Sequence, residues 1–303
     1  MEEVSFNWYL KRGEGLRIGV SLPVDYLTGK VSCEADKLWT QIYGSVDQCL
    51  RSLRGLGITS VEINKLSEET SPSQLKHAVE VIGDIGLGIT IHGWLPEMKV
   101  DPCLPPAIQK LEKALMAYPL QGLIPFTVHS HSYESSVKIP DDEAAKQTLH
   151  DLNLLSRTLV PKSVFAVALE LCRYKERRSV GVTFNDVFSM SEQIGLENLG
   201  LCWDVGHSQA NYRNQQDFRL PSEEFARKVI HTHIHDIGPD GRTHGPIVAD
   251  QGYVRDCVDI LKDSGYCGIY NLELFPLRWR LSPKECRSRI ETSINSMLHM
   301  LIE

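Results

Sequence analysis

The chain has 303 residues, of which 42% are apolar and 23% charged, and its formal net charge is −7. That length fits one large α/β barrel or two ordinary domains, and it is ample for a buried core. The acidic balance gives no support to a non-specific polyanion binder, although a local basic patch or a metal centre can still hold phosphate. No apolar run reaches transmembrane length, so no membrane partner is expected, and the start MEEVSFNWYLKRGEG lacks the basic-then-apolar layout of a signal peptide. Eight scattered cysteines with no C-x-x-C pair read as reduced thiols, and a cytoplasmic location is expected.

Taken in chain order, short apolar strands alternate with helical segments. LRIGVSL (16–22) leads to a helix over 45–56, and SVEIN (60–64) to one over 73–85. GITIHG (88–93) carries His92, with Trp94 just beyond, before a helix over 105–117. IPFTVHS (124–130) carries His129, with His131 following, and Pro140-Asp141-Asp142 opens a helix over 141–159. FAVALEL (165–171) contains Glu170 and runs into RYKERR (173–178), which reads as a solvated loop or helix start ahead of a helix over 181–194. LGLCWDV (199–205) contains Asp204, with His207 close behind, and a helix spans 222–228. VIHTHIHD (229–236) carries His231, His233, His235 and Asp236, and a helix spans 250–264. IYNLELF (269–275) carries Glu273, and Ser282-Pro283-Lys284-Glu285 starts a final helix over 282–302.

Eight strands and eight helices in strict alternation predict a single (β/α)8 TIM barrel, one domain over 1–303. A doubly wound open sheet would need a Gly-rich phosphate turn after its first strand, and LRIGVSLPVDYLTG contains no G-x-G-x-x-G. A parallel barrel gathers the carboxyl ends of its strands on one face. Residues far apart in sequence could therefore meet around one metal centre there.

Period-two geometry sorts the candidates. Ala166, Ala168 and Glu170 share a strand face, as do Cys202 with Asp204 and Asn271 with Glu273. A carboxylate inside an apolar strand is costly unless paired or bound to metal, and a structural salt bridge is the bland alternative for each. With histidine near each acid, metal ligation by Glu170, Asp204 and Glu273 is the better reading. His231, His233 and His235 share a face but differ in height by about 7 Å per step, so one metal cannot take all three. His231 is expected to be a packed core residue, and the role of His235 is left open. Asp236 is placed to orient the His233 imidazole or to cap the next loop. His92 and His129 are further ligand candidates, with His131 as a replacement for His129 or as a partner that orients a ligand. His77, His150 and His299 lie on helices and receive no role.

Strung together, LEL (Glu170), DVGH (Asp204, His207), HIHD (His233, Asp236) and LEL (Glu273) resemble the xylose-isomerase-like TIM-barrel superfamily, which includes ketose 3-epimerases and endonuclease IV. The resemblance covers nearly the whole barrel and implies that Glu170, Asp204, His233 and Glu273 bind a divalent metal, Zn or Mn by preference, with Mg or Co as alternatives. The endonuclease branch uses three zinc ions and would add His92, His129, His207 and a D-x-H pair. Here the matching stretch is Arg242-Thr243-His244. Arginine cannot ligate a metal, so the resemblance shifts towards sugar chemistry, with His207, Arg242, His244, Trp94 and His131 as substrate contacts.

The function expected is a metal-dependent isomerase or epimerase of a sugar or small polyhydroxy carbonyl compound, with Glu170 and Glu273 exchanging a proton and His207 as a reserve base. A lyase acting through the same enediolate would use the same parts. The alternatives are a zinc phosphodiesterase acting on abasic DNA and a non-catalytic sugar-binding barrel. The partner expected is a small sugar-like molecule rather than nucleic acid, and a homo-oligomer is compatible with the fold.

Overall fold

Eight parallel strands close in sequence order into a barrel, β1-β2-β3-β4-β5-β6-β7-β8, in a computed structural model. The structure describes residues 17–31, 33–66, 69–98, 103–117, 122–131, 141–159, 163–175, 180–213, 220–238, 240–248 and 252–303.

In chain order the elements are β1 (Ile18–Pro23), α1 (Val24–Leu27), α2 (Glu34–Tyr43), α3 (Val46–Gly55), β2 (Ser60–Asn64), α4 (Pro72–Asp84), β3 (Gly88–His92), α5 (Pro106–Met116) and β4 (Ile124–Val128). They continue with α6 (Asp141–Thr158), β5 (Phe165–Glu170), α7 (Phe184–Ile194), β6 (Leu199–Asp204), α8 (Val205–Tyr212), α9 (Glu223–Arg227), β7 (Val229–Ile234), α10 (Tyr253–Asp263), β8 (Tyr270–Leu272) and α11 (Pro283–Ile302). Every expected strand is present. Most end a residue or more earlier than the apolar runs suggest, because pairing stops where the chain turns outward at the carboxyl rim. His129, His235 and Glu273 therefore sit one residue past β4, β7 and β8 rather than inside them.

Helix starts follow local chemistry. Ser45, Ser71, Thr183 and Ser282 each accept a hydrogen bond from the amide three residues on, whose Gln, Asp or Glu side chain returns to the cap amide. The Pro140 start signal lies outside the described residues, though α6 does begin at Asp141. Two longer helices were not expected. The β1–β2 connection holds α2 ahead of α3, and α8 grows directly from β6 with Asp204 as its N-cap.

The apolar faces of the strands (Val20, Leu22, Ile63, Ile91, Phe126, Val167, Leu201, Trp203) are buried against the helical ring. The lumen is different. Register partners there are small or polar: Gly19 beside Ser60 and Gly88, Ser21 beside Glu62 and Thr90, and Thr127 beside Ala168 and Gly200. A barrel interior of this kind leaves room above for long titratable side chains. None of the eight cysteines forms a disulfide. Among the described residues, no helix is long and apolar enough to cross a membrane.

Candidate metal centre

The site is built upward from a carboxylate that sequence reasoning missed. Glu62 on β2 is fully buried in the lumen. Its Oε1 accepts from Ser21 Oγ (2.6 Å) and Asn271 Nδ2 (3.1 Å), and its Oε2 from His231 Nε2 and His233 Nε2, both at 2.9 Å. Burial alone would raise the Glu62 pKa, but His233 and His231 hold it well below the ordinary carboxylate range. Burial pushes His231 down despite Glu62, so it acts as a neutral donor, packed in the core as expected.

His233 joins this floor to the layer above. Because its Nε2 donates to Glu62, its Nδ1 points at the carboxylates: Glu170 Oε2 at 3.4 Å, Glu273 Oε2 at 3.6 Å and Asp204 Oδ2 at 3.9 Å. Glu170 Oε2 also lies 3.0 Å from His129 Nε2 and 3.2 Å from His92 Nε2, while its Oε1 is 3.2 Å from His207 Nδ1. The other nitrogen of His92 is 3.3 Å from the Gly93 carbonyl, where only a donor fits, which leaves Nε2, facing Glu170, as the nitrogen a metal would take once its proton is displaced. As the cap of α8, Asp204 takes the His207 amide on Oδ1 at 2.6 Å, and this brings the His207 ring to 2.9 Å from Oδ2. The D-x-x-H spacing is thus a helix cap that aims its own histidine.

The glycine of DVGH has a steric reason. A Cβ at Gly206 would lie 1.9 Å from the His235 ring. His235 can therefore approach Asp204 Oδ1 to 3.1 Å while its Nδ1 accepts the His244 amide at 2.9 Å. His244 completes the ring of ligand types, with Nδ1 3.3 Å from Glu273 Oε2, and its φ of 62° is a left-handed backbone held at the site.

The donor set fits a divalent cation. Both oxygens of Glu170, Asp204 Oδ2, Glu273 Oε2, His207 Nδ1 and His233 Nδ1 are buried without a directed hydrogen bond among the described residues. Converging bare nitrogens and oxygens are costly unless a cation answers them. Ligand atoms within 4.8 Å of one another come from His92, His129 and Glu170, from His92, His233 and Glu273, and from His207, His235 and His244. The first and last groups share no residue, which leaves room for more than one ion.

Electrostatics agree. Burial opposes charge at every one of these groups, yet His129 and His233 hold Glu170 well below its ordinary value, and His207 and His235 do the same to Asp204. Against burial, His233 and His244 bring Glu273 down to about 2. The carboxylates in turn raise His92 to about 9, through Glu170, and His207 to about 10, through Asp204 and Glu170.

Glu170, Asp204, His233, Glu273, His92, His129 and His207 thus come together as their positions in sequence suggest, and His244 joins them at a ligand-type position. Other candidates lie elsewhere. His131 Nε2 is 2.8 Å from buried Asp151 on α6, away from the cluster's carboxylates. Trp94 packs edge-on against Phe126 at 6.3 Å. Asp236 caps its own loop at the Ile237 amide (2.8 Å) and does not orient His233, a role that falls to Glu62. Arg242 stands at the pocket wall, paired with Asp240 at 3.1 Å. The trio His207, His235 and His244 forms without residue 242, so arginine there does not by itself remove a third group of ligands.

Above the cluster opens a pocket of about 420 Å³ whose lining includes Glu170, His207, His244 and Glu273 together with Arg173, Lys175, Arg242 and Arg278. Arg173 and Lys175 belong to the run read from sequence as a solvated loop, whose residues 176–178 lie outside the described residues. Instead they face the site, because the chain leaving β5 runs along the carboxyl rim.

A family model described as xylose isomerase-like TIM barrel matches residues 50–293. The chain belongs to this family. Among solved structures, a xylose isomerase domain protein from Alicyclobacillus acidocaldarius superposes with a TM-score of 0.62 at 15% identity, covering 95% of this chain and 99% of that one. A D-psicose 3-epimerase from Clostridium cellulolyticum H10, solved with D-tagatose, gives 0.61 at 14% identity over 93% and 99%. An L-ribulose 3-epimerase gives 0.59 at 18% over 95% and 97%. At these identities the likeness is one of fold, a fold that sugar epimerases share. One curated relative, the uncharacterized protein MJ1311 of Methanocaldococcus jannaschii, is 26% identical over 109 residues, which span 36% of this chain and 37% of the relative.

Proposed function

We propose that the protein is a divalent-metal-dependent isomerase or epimerase of a sugar or small polyhydroxy carbonyl compound, with Zn or Mn the favoured metal. The observation that carries this reading is the placement of Glu170 and Glu273. They come from strands on different sides of the barrel, both reach His233 Nδ1 (3.4 and 3.6 Å), and both line the same pocket. Glu170, Asp204, His233 and Glu273 would hold the metal, with His92, His129, His207 and His244 as further ligands. A bound divalent cation would polarise a carbonyl and favour the enediolate form of the substrate.

The chain's own residues supply the rest. Two carboxylates facing one substrate from different strands allow one to remove the proton beside the carbonyl while the other, protonated from solvent, delivers a proton to a neighbouring atom or the opposite face. Contact with a bound cation would limit the basicity of both, so His207, which lines the pocket and touches both Asp204 and Glu170, is the reserve base. Enzyme turning over in D2O should incorporate deuterium into the substrate, and Glu273→Gln should abolish that incorporation. Unchanged incorporation in the variant would remove Glu273 from the mechanism.

One observation favours a second reading. His92 and His129 both meet Glu170 Oε2, and the trio His207, His235 and His244 stands apart from them, a multi-metal layout suited to phosphodiester hydrolysis. That reading predicts chelator-sensitive cleavage of an abasic duplex by metal-replete protein.

A further inference from the structure

On a protein of net charge −7, four cationic side chains gather at the mouth of the pocket that opens onto the carboxylate–imidazole cluster. Arg173 and Lys175 come from the segment after β5, Arg242 from the loop after β7, and Arg278 from the turn after β8. They are held there. Arg173 donates to the Gly241 carbonyl at 3.3 Å, tying two loops together, and the Arg278 guanidinium lies 4.8 Å over the Phe275 ring. Arg242 pairs with Asp240, but among the described residues Arg173, Lys175 and Arg278 form no ion pair. The like charges feel one another, since partial burial and then Arg173 and Arg242 lower the Arg278 pKa, with Glu273 opposing.

Like charges held together with few direct ion pairs favour the arrival of an anion, and guanidinium groups suit phosphate and carboxylate through paired hydrogen bonds. The lining offers no aromatic ring other than imidazole on which a base could stack. The volume, about 420 Å³, suits a small molecule.

We propose that the substrate is anionic: a small carbonyl sugar whose non-reacting end carries a phosphate or carboxylate, seated on Arg173, Arg242 and Arg278 while its carbonyl end reaches Glu170 and Glu273. The proposal rests on the sugar-isomerase reading above and sharpens it, because a neutral sugar offers these cations hydroxyl acceptors but no charge to answer theirs. They act by binding and orienting, and by steering the anion past an otherwise acidic surface.

The test has two arms. In the first, titration calorimetry measures inorganic phosphate binding to metal-loaded protein and to the R173A, R278A and R278K variants, with melting curves to check folding. Phosphate binding that weakens about tenfold in R173A and R278A and is restored only in part by R278K, which keeps the charge but loses the paired hydrogen bonds, supports the site. No phosphate binding, or binding indifferent to these changes, overturns it. In the second arm, solvent-deuterium incorporation is compared for D-fructose, D-fructose 6-phosphate and D-fructuronate. The expected result is a kcat/KM about tenfold or more higher for one of the anions, which also identifies the preferred group, with the advantage lost in R278A through KM. Equal or faster exchange with D-fructose overturns the anionic substrate but leaves the isomerase reading intact. Arginine-dependent phosphate binding without exchange by any ketose sinks the isomerase reading and leaves the anion subsite standing. Cleavage of an abasic duplex in that case would make the anion a nucleic acid and overturn the small-molecule assignment.

Discussion

Two glutamates are buried in the same barrel, and their surroundings differ in one respect. Glu62, low in the lumen, receives four hydrogen bonds, two on each oxygen, from Ser21, Asn271, His231 and His233. Glu170, at the carboxyl rim, has four imidazole nitrogens within 3.4 Å, yet among the described residues neither of its oxygens accepts a directed hydrogen bond. Both carboxylates are held ionised against burial. The first is answered by protons and belongs to the scaffold. The second faces imidazole nitrogens from four different histidines that converge on it, which is how ligands look around a cation once their protons are displaced. His233 bridges the two, with one nitrogen spent on Glu62 and the other offered to Glu170.

Removing the rim carboxylate should do most to break this contrast. Glu170→Gln is expected to lower metal affinity by more than about 100-fold, because it deletes a charged ligand rather than a supporting partner. Equilibrium dialysis against a metal buffer reads this, and wild-type affinity in the variant would place Glu170 outside the centre. Glu62→Gln should act one step removed, costing about 10–100-fold in affinity by loosening the His233 tautomer and orientation. If Glu62 were only a packing residue, the variant would melt lower but bind metal as wild type does once folded.

The pH dependence sharpens the same contrast. In the metal-free protein His92 is raised to about 9 and His207 to about 10, so both carry protons at neutral pH, which a metal must displace. Affinity should therefore rise with pH, about tenfold per unit for each imidazole displaced, and level off as pH passes 9 and then 10. A flat profile between pH 6 and 8 would show that neither histidine ligates. The smallest effect is expected two residues from a ligand. His131→Ala removes one donor from buried Asp151 and should cost about 1–3 kcal/mol of stability while leaving metal content unchanged, whereas His129→Ala should lose metal.

How much of this could be read in the sequence follows from the range of each signal. The eight strands were legible because apolar runs and intervening helical patterns are local. Asp204 and His207 were legible because a helix cap fixes their spacing. Glu62 was not: it sits alone in SVEIN, and its partners His231 and His233 lie 169 and 171 residues away. Only the rule that a carboxylate in an apolar strand needs a partner could have singled it out. Strand rise separates His231, His233 and His235 in height, but which nitrogen each presents depends on partners across the barrel. Arg173 and Lys175 looked solvated because a charge run carries no record of which way its loop folds. Arg242 reads from sequence as a gap in a third set of ligands, yet His235, at the end of the strand before it, places its imidazole beside His207 and His244.

The central claim is that the rim cluster is a metal centre, and the metal content per chain of protein purified without chelator tests it most directly. At least one equivalent of Zn or Mn per chain, lost in Glu170→Gln and retained in His131→Ala, is the predicted result. Substoichiometric metal in the wild type, no different from that in Glu170→Gln, would contradict it.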